Sequence, residues 1–197
     1  MRFILASASP RRKEFMERLC IPYEVITSDV DESVATMSSP YERVKTLSEM
    51  KAQAVAEKID DEAVIIAADT IVTYMGIILN KPADSEDAKK MLKMLSGKHH
   101  TVYSGMTLIF KDKNGNAITE TYVDGTDVEF TEMSDELIEK YVNTLEPNDK
   151  AGAYAVQEKG SVFIANVKGN YDNVVGLPVP ILYEALKKHD IDIADFW

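Results

Sequence analysis

Three features predict an α/β protein built on a mixed sheet flanked by helices. Strand-like and helix-like segments alternate through the amino-terminal part of the chain. Asn114-Gly115, a strong hairpin turn, joins two long strand-like segments, so an antiparallel pair lies beside crossover units. Ala63 to Val72 is a short, apolar, β-branched run, the pattern of a strand covered on both faces.

The elements follow in order. Residues 2–6 read as the first strand. Ser9-Pro10 opens a helix, with Ser as N-cap and Pro at the first helical position, and Phe15, Met16 and Leu19 form its apolar face. Residues 23–28 read as a second strand. Ser39-Pro40-Tyr41-Glu42 is a capping box that starts a helix reaching about Lys58. Residues 63–74 form the third strand. A helix over 85–95 carries Ala88, Met91, Leu92 and Leu95 on one stripe and stops at Gly97. Residues 100–111 and 117–130 are the hairpin strands. A helix over 135–145, capped by Ser134, turns Leu137, Ile138, Tyr141 and Leu145 inward. Residues 161–167 read as a last strand, and Pro178 opens a helix to about Lys188. No repeat, linker or composition break divides residues 1–197, so a single domain is expected.

The bulk properties narrow the function. A chain of 197 residues builds one substantial core, or at most two lobes sharing one. Hydrophobic content of 45% with 28% charged residues is ordinary for a globular protein. No apolar run reaches the length of a membrane span, and Met1 to Ala6 is too short for a signal-peptide core. The one cysteine, Cys20, excludes an internal disulfide and agrees with a reducing compartment, so a cytoplasmic location is expected. With 22 basic and 33 acidic residues the net charge is −11, which disfavours nucleic acid and anionic membranes as partners. An anionic ligand then needs basic residues gathered locally. His99 and His100 are adjacent, so on a strand they point to opposite faces and make a poor zinc site.

Asp69 is the residue that most needs explaining. It lies inside the apolar run of residues 63–72, where an ionised carboxylate is costly without a cation or hydrogen-bond donors. Either it has a structural partner, or the strand ends where Asp69 meets a metal or a substrate. Ser7-Ala8-Ser9-Pro10-Arg11-Arg12-Lys13 places cations at a helix amino terminus, where they oppose the helix dipole but suit a bound phosphate. The P-loop glycines and Gly-Lys-Ser/Thr ending are absent. Lys51 falls on the inward stripe of its helix with Val44, Leu47 and Val55, either snorkelling outward or facing a ligand. Asp29, Asp31 and Glu32 follow the second strand, and one of them could join Asp69 around Mg²⁺. Lys81-Pro82 follows a turn at Met75-Gly76. Ala151-Gly152-Ala153 allows close backbone approach, by a ligand or by a tight packing contact, and Gln157 offers both a donor and an acceptor suited to a base edge.

These residues, taken together, resemble the Maf family of nucleoside triphosphate pyrophosphatases. The matching blocks run in order: residues 5–12, Lys51-Ala52, Ala68-Asp69-Thr70, Lys81-Pro82, residues 95–102, Glu146 to Tyr154, and Val174-Val175-Gly176-Leu177-Pro178. The resemblance implies a fold like that of the inosine triphosphate pyrophosphatases, with a mixed, elongated sheet flanked by helices and two lobes around a central cleft. It implies a metal-dependent cleavage of a nucleoside triphosphate to the monophosphate and pyrophosphate, with Mg²⁺ or Mn²⁺ as cofactor. Asp69 matches the catalytic base, and Ser7, Arg11, Arg12, Glu32, Lys51 and Lys81 match active-site positions, with Asp69 and Glu32 toward the metal. Arg11, Thr70 and Gln157 look like the subgroup that acts on dTTP and UTP. Ser104 departs from the threonine many members carry. A homodimer agrees with the resemblance. Competing readings are a pyrophosphatase with another base preference and a nucleotide-binding regulator of septum formation that does not turn over.

Overall fold

The computed structural model describes residues 1–35, 37 and 39–197. The described residues form seven strands and six α-helices. The strands are β1 (Arg2–Leu5), β2 (Glu24–Val25), β3 (Ala63–Tyr74), β4 (Ile77–Leu79), β5 (His99–Lys111), β6 (Ala117–Phe130) and β7 (Ile164–Lys168). The helices are α1 (Pro10–Arg18), α2 (Pro40–Ala56), α3 (Ser85–Leu95), α4 (Asp135–Val142), α5 (Tyr171–Val175) and α6 (Val179–Lys187). Hydrogen bonding orders the sheet β2-β1-β3-β5-β6-β7, with β4 paired to β3. It is mixed: β1 runs parallel to β2 and β3, whereas β4 is antiparallel to β3 and β7 is antiparallel to β6. The chain divides into two compact units. The first holds Met1–Asp69, Ser104–Asp124 and Gly176–Trp197, and the second holds Thr70–Tyr103 and Gly125–Val175.

In the first unit, β1 lies between β2 and β3, with Ile4 opposite both Glu24 and Ile65. This placement leaves β1 and the first part of β3 almost without polar side chains, because a strand in the middle of a covered sheet has no wet face. Helix α2 supplies Ala52, Val55 and Ala56 to a core with Ile4, Ile65, Ala67 and Ile109. The helix starts on Ser39, whose hydroxyl accepts from the Glu42 N–H at 3.4 Å, and Pro40 occupies its first turn. Its fit against β5 is close. Ser48 Oγ lies 2.9 Å from Thr107 Oγ1, both fully buried, and a Cβ added to Gly105 would stand 2.2 Å from the Val44 carbonyl oxygen.

The second unit has an aromatic core. Phe130, Tyr154, Phe163 and Tyr141 meet at centroid distances of 4.8–6.1 Å, mostly edge to face, with His100 among them. Helices α3 and α4 bury Ala88, Leu92, Leu95 and Ile138, Tyr141, Val142.

Several expected boundaries shift. The second strand is only Glu24–Val25. The helix expected over 135–145 stops at Val142, since Leu145 takes φ +64° and Glu146-Pro147 begins a 3₁₀ turn. Leu145 is therefore exposed rather than inward, and Leu137, within α4, is exposed as well. Residues Lys159–Phe163 form another 3₁₀ turn, which delays the last strand to Ile164. Ser9 holds the cap position of α1, but its hydroxyl makes no cap hydrogen bond. Strand β4 and helix α5, too short to carry a periodic pattern, were not legible in the residues.

The Gly105 contact yields a test. Gly105→Ala forces a methyl against backbone that cannot step aside, and is expected to cost at least about 2 kcal/mol of unfolding free energy in urea melts. A neutral result would mean that α2 and β5 can separate without loss.

Candidate active site

The first unit gathers most of the expected residues. Strand β1 ends at Leu5, and residues 7–9 turn the chain into α1. There the Ser9 N–H donates to Ser7 Oγ at 3.2 Å, and Arg12 Nη1 donates to the same oxygen at 3.1 Å. Arg12 Nε also donates to the Gly176 carbonyl at 2.9 Å. Ser7 thus fixes both the turn and the guanidinium, and the Gly176 carbonyl holds Arg12 at a second point. Burial lowers the Arg12 pKa from its usual value. The Asp69 charge opposes that shift, Arg11 reinforces it, and Glu32 opposes it, so these four charges share one electrostatic neighbourhood.

Asp69 is 7% exposed. Its Oδ1 accepts from Lys51 Nζ at 2.6 Å, and the same ammonium reaches Glu32 Oε1 at 2.8 Å. Lys51 therefore points toward the carboxylates and not out into solvent as a snorkelling side chain. The acidic loop is also sorted. Asp29 pairs with Lys58 at 3.3 Å, and Asp31 caps the short 3₁₀ turn by accepting from Ser33 N–H at 3.0 Å. Glu32 is the member of that loop that shares the lysine with Asp69.

Two carboxylates converging on one cationic position suit Mg²⁺ or Mn²⁺. Such ions take one or two protein carboxylates and complete their shell with water and phosphate oxygens. Among the described residues no group of three or more His, Cys, Asp or Glu forms a fuller cage. Asp69 and Glu32 are the residues that would hold it.

The second unit carries the other expected residues. Thr70 follows Asp69 along β3 and is half-buried, while Lys81 and Gln157 are exposed. The Gly152 N–H donates to the Asn80 carbonyl at 3.2 Å, which ties the chain just before Lys81 to the Ala-Gly-Ala turn. Gly152 has φ +68°, and a Cβ there would lie 2.9–3.0 Å from the Val72 side chain. Its close approach is to Val72, which decides for packing over ligand contact at that glycine. His100 was set aside on sequence grounds, yet it is 3% exposed with Nε2 2.8 Å from Tyr154 Oη. Burial, reinforced by the charge of His99, lowers its pKa from 6.5 to about 4. Tyr141 and Glu146 also have polar partners that periodicity could not reveal, because an inward stripe shows burial and not what a hydroxyl meets.

The fold is of the Ham1 kind. The structure resembles the Staphylococcus aureus Ham1 protein (TM-score 0.52, 14% identity, 96% of this chain and 100% of that one) and a HAM1 protein from Coxiella burnetii (TM-score 0.51, 16% identity, 95% and 99%). The model of the Maf-like protein family matches residues 2–189. Proteins described as dTTP/UTP pyrophosphatases from Bacillus cereus and Bacillus anthracis are 47% identical over 192 residues, 98% of this chain and 97% of theirs. The chain belongs to the Maf-like family.

Two outcomes follow from this geometry. Lys51→Met strands a buried carboxylate and is expected to lower stability by on the order of 3 kcal/mol, whereas Lys51→Met with Asp69→Asn recovers part of that loss. Strict additivity in a urea double-mutant cycle would deny the pairing. For His100 the folded pKa lies below the unfolded one, so the unfolded chain binds the extra proton between the two values. Stability is fully present above pH 6.5 and falls as pH drops toward 4. Replacing His100 with Gln should remove about 2 kcal/mol of the loss between roughly pH 7 and pH 5, read as the difference between wild-type and variant unfolding free energies.

Proposed function

We propose that this chain hydrolyses dTTP and UTP to the nucleoside monophosphate and pyrophosphate. The observation that carries the reading is 47% identity, over nearly the whole chain, to proteins named for that activity. The charge cluster supports it, because opening a phosphoanhydride needs a placed water and neutralisation of the phosphates.

In this reading a water oxygen bonds to the α-phosphorus while the bridging P–O bond breaks, and pyrophosphate leaves with the bridging oxygen. Asp69 orients the water and accepts its proton. Arg11, Arg12 and Lys51 bind phosphate oxygens, with Ser7 holding Arg12 in place, and Lys81 is assigned the same task by its matched motif. Lys51, a flexible ammonium, can exchange a carboxylate partner for a phosphate without changing its own charge. A bound Mg²⁺ or Mn²⁺, held by Asp69 and Glu32, supplies Lewis-acid neutralisation of the phosphate charge. Arg11, Thr70 and Gln157 are assigned to base selection. We further propose that residues 1–197 act as one Maf-like domain in the cytoplasm. No helix among the described residues is long and apolar enough to cross a membrane.

The test is a panel of pyrimidine and purine triphosphates with pyrophosphate detection. dTTP and UTP should be preferred, a chelator should stop turnover, and Asp69→Asn should lower kcat by roughly a thousandfold with the fold intact. Purine preference would overturn the substrate assignment, and a near-wild-type Asp69→Asn would overturn the role of Asp69.

A further inference from the structure

The chain between Tyr154 and Gly160 carries Gln157, and it is restrained on both sides by buried polar groups to which nothing above gives a task. On the entering side, Tyr154 Oη meets His100 Nε2 at 2.8 Å, and the Ala155 N–H donates to Tyr141 Oη at 3.3 Å. On the leaving side, the Gly160 N–H donates to Glu146 Oε1 at 3.0 Å and the Lys159 N–H to Glu146 Oε2 at 3.2 Å. Tyr141 joins the two sides, since its hydroxyl also donates to Glu146 Oε1 at 2.9 Å. One phenol oxygen is thus an acceptor for residue 155 and a donor to the carboxylate that holds residues 159 and 160.

The base of this loop is closed tightly. A Cβ at Gly160 would lie 2.7 Å from both the Ala155 carbonyl oxygen and Tyr141 Oη, so only glycine lets the two ends meet there. Residues 157–159 are exposed while 152–156 and Gly160 are buried, which leaves Gln157 projecting from a pinned frame. Glu146 itself is 8% exposed. Burial alone would raise its pKa, but the N–H of Gly160, the Tyr141 hydroxyl and the N–H of Lys159 together hold it below the usual value. Burial likewise raises the Tyr141 pKa, so the phenol keeps the proton it donates. These three donors take most of the roughly four acceptor positions of a carboxylate, and the Lys159 ammonium lies 3.5 Å from Oε2. The work of Glu146 is to fix backbone.

We infer that Tyr141 and Glu146 are positioning residues for base selection: they set the 155–160 loop so that Gln157 meets the pyrimidine edge. The inference rests on the proposed assignment of Gln157 to base reading. A side-chain amide selects a base only if its donor and acceptor are held in register, and a loop free to shift by an ångström loses that discrimination before it loses phosphate binding. The frame therefore acts on KM for the matching base and leaves the chemical step alone.

The experiment compares Tyr141→Phe, Glu146→Gln and Gln157→Ala in the full chain, using dTTP against dGTP. Tyr141→Phe keeps the ring that packs on Phe163 at 4.8 Å and removes only the shared hydroxyl. It is expected to lower the dTTP-to-dGTP ratio of kcat/KM by roughly tenfold through KM for dTTP, with kcat within about twofold. Combined with Gln157→Ala it should add little to the single Gln157 change. In Glu146→Gln the amides of Lys159 and Gly160 should lose hydrogen-exchange protection. A Tyr141→Phe protein that loses activity equally toward both nucleotides, or keeps the ratio while Gln157→Ala shifts it, overturns the inference and spares the Gln157 assignment. Retained protection at 159 and 160 overturns the anchoring by Glu146. A ratio unmoved by Gln157→Ala overturns the Gln157 assignment and this inference with it, and leaves the pyrophosphatase reading standing on the triphosphate panel.

Discussion

The pairing of Asp69 with Lys51 is the constraint around which the first unit is arranged. Strand β3 is covered by protein, and a carboxylate placed in it needs a cation brought to it. Helix α2 brings one. The alanines and valine that seat α2 on the sheet, the hydroxyl contact between Ser48 and Thr107, and the bare backbone at Gly105 all set how closely the helix lies against β5. That spacing fixes where Lys51 can reach. A larger residue at any of these points would lift the ammonium from Asp69, so packing remote from the charges controls their geometry.

Two carboxylates, Asp69 and Glu146, are buried among the described residues, and their partners are of opposite kinds. Asp69 and its neighbour Glu32 share a lysine, a mobile side chain whose charge can turn to another anion. Glu146 is held by two backbone N–H groups and a phenol, with the exposed Lys159 ammonium farther off, 3.5 Å from Oε2. Backbone donors cannot be withdrawn without unfolding the turn that carries them. Exchangeable partners leave a carboxylate available for metal, water and proton transfer, while fixed partners make it a structural anchor. The same distinction explains why burial by itself does not identify a catalytic acid: the kind of partner decides.

Much of this was legible in the residues, for reasons that can be stated. The apolar run around Asp69 is long enough for its burial to be read directly, and the inward stripe of α2 put Lys51 on the same side as the core. The capping signals at Ser39 and Ser134 act locally, so the starts of α2 and α4 fall where the sequence places them. The misses are of another kind. Leu145 continues the apolar period of α4 but sits at positive φ, because the following Glu146-Pro147 commits the chain to a 3₁₀ turn. In the acidic loop the residues by themselves do not rank Asp29, Asp31 and Glu32; the resemblance alone singles out Glu32, and only the fold gives Asp29 and Asp31 their own partners. The His100–Tyr154 and Tyr141–Glu146 pairs were not legible, since they join residues 54 and 5 positions apart and rest on no shared period.

The net charge of −11 bears on function less than its size suggests. Exposed charges separated by more than about 8–10 Å are largely screened at physiological salt. Many of the acids are also engaged locally: Glu24 with Arg2, Asp29 with Lys58, Asp135 with Lys93, Glu136 with Lys140. What an arriving anion meets is set by the nearest few side chains. In the first unit these include Arg12, held rigidly by Ser7 and Gly176, and Lys51, held by two carboxylates. The first is a fixed cation, oriented before any ligand comes. The second is a neutralised one, whose charge becomes available only as Asp69 and Glu32 find another cation. On the proposed function, a metal held by those carboxylates and a polyphosphate held by Lys51 would be coupled through a single ammonium, each favouring the other. An acidic protein can in this way hold a polyanion at one place while repelling anions elsewhere.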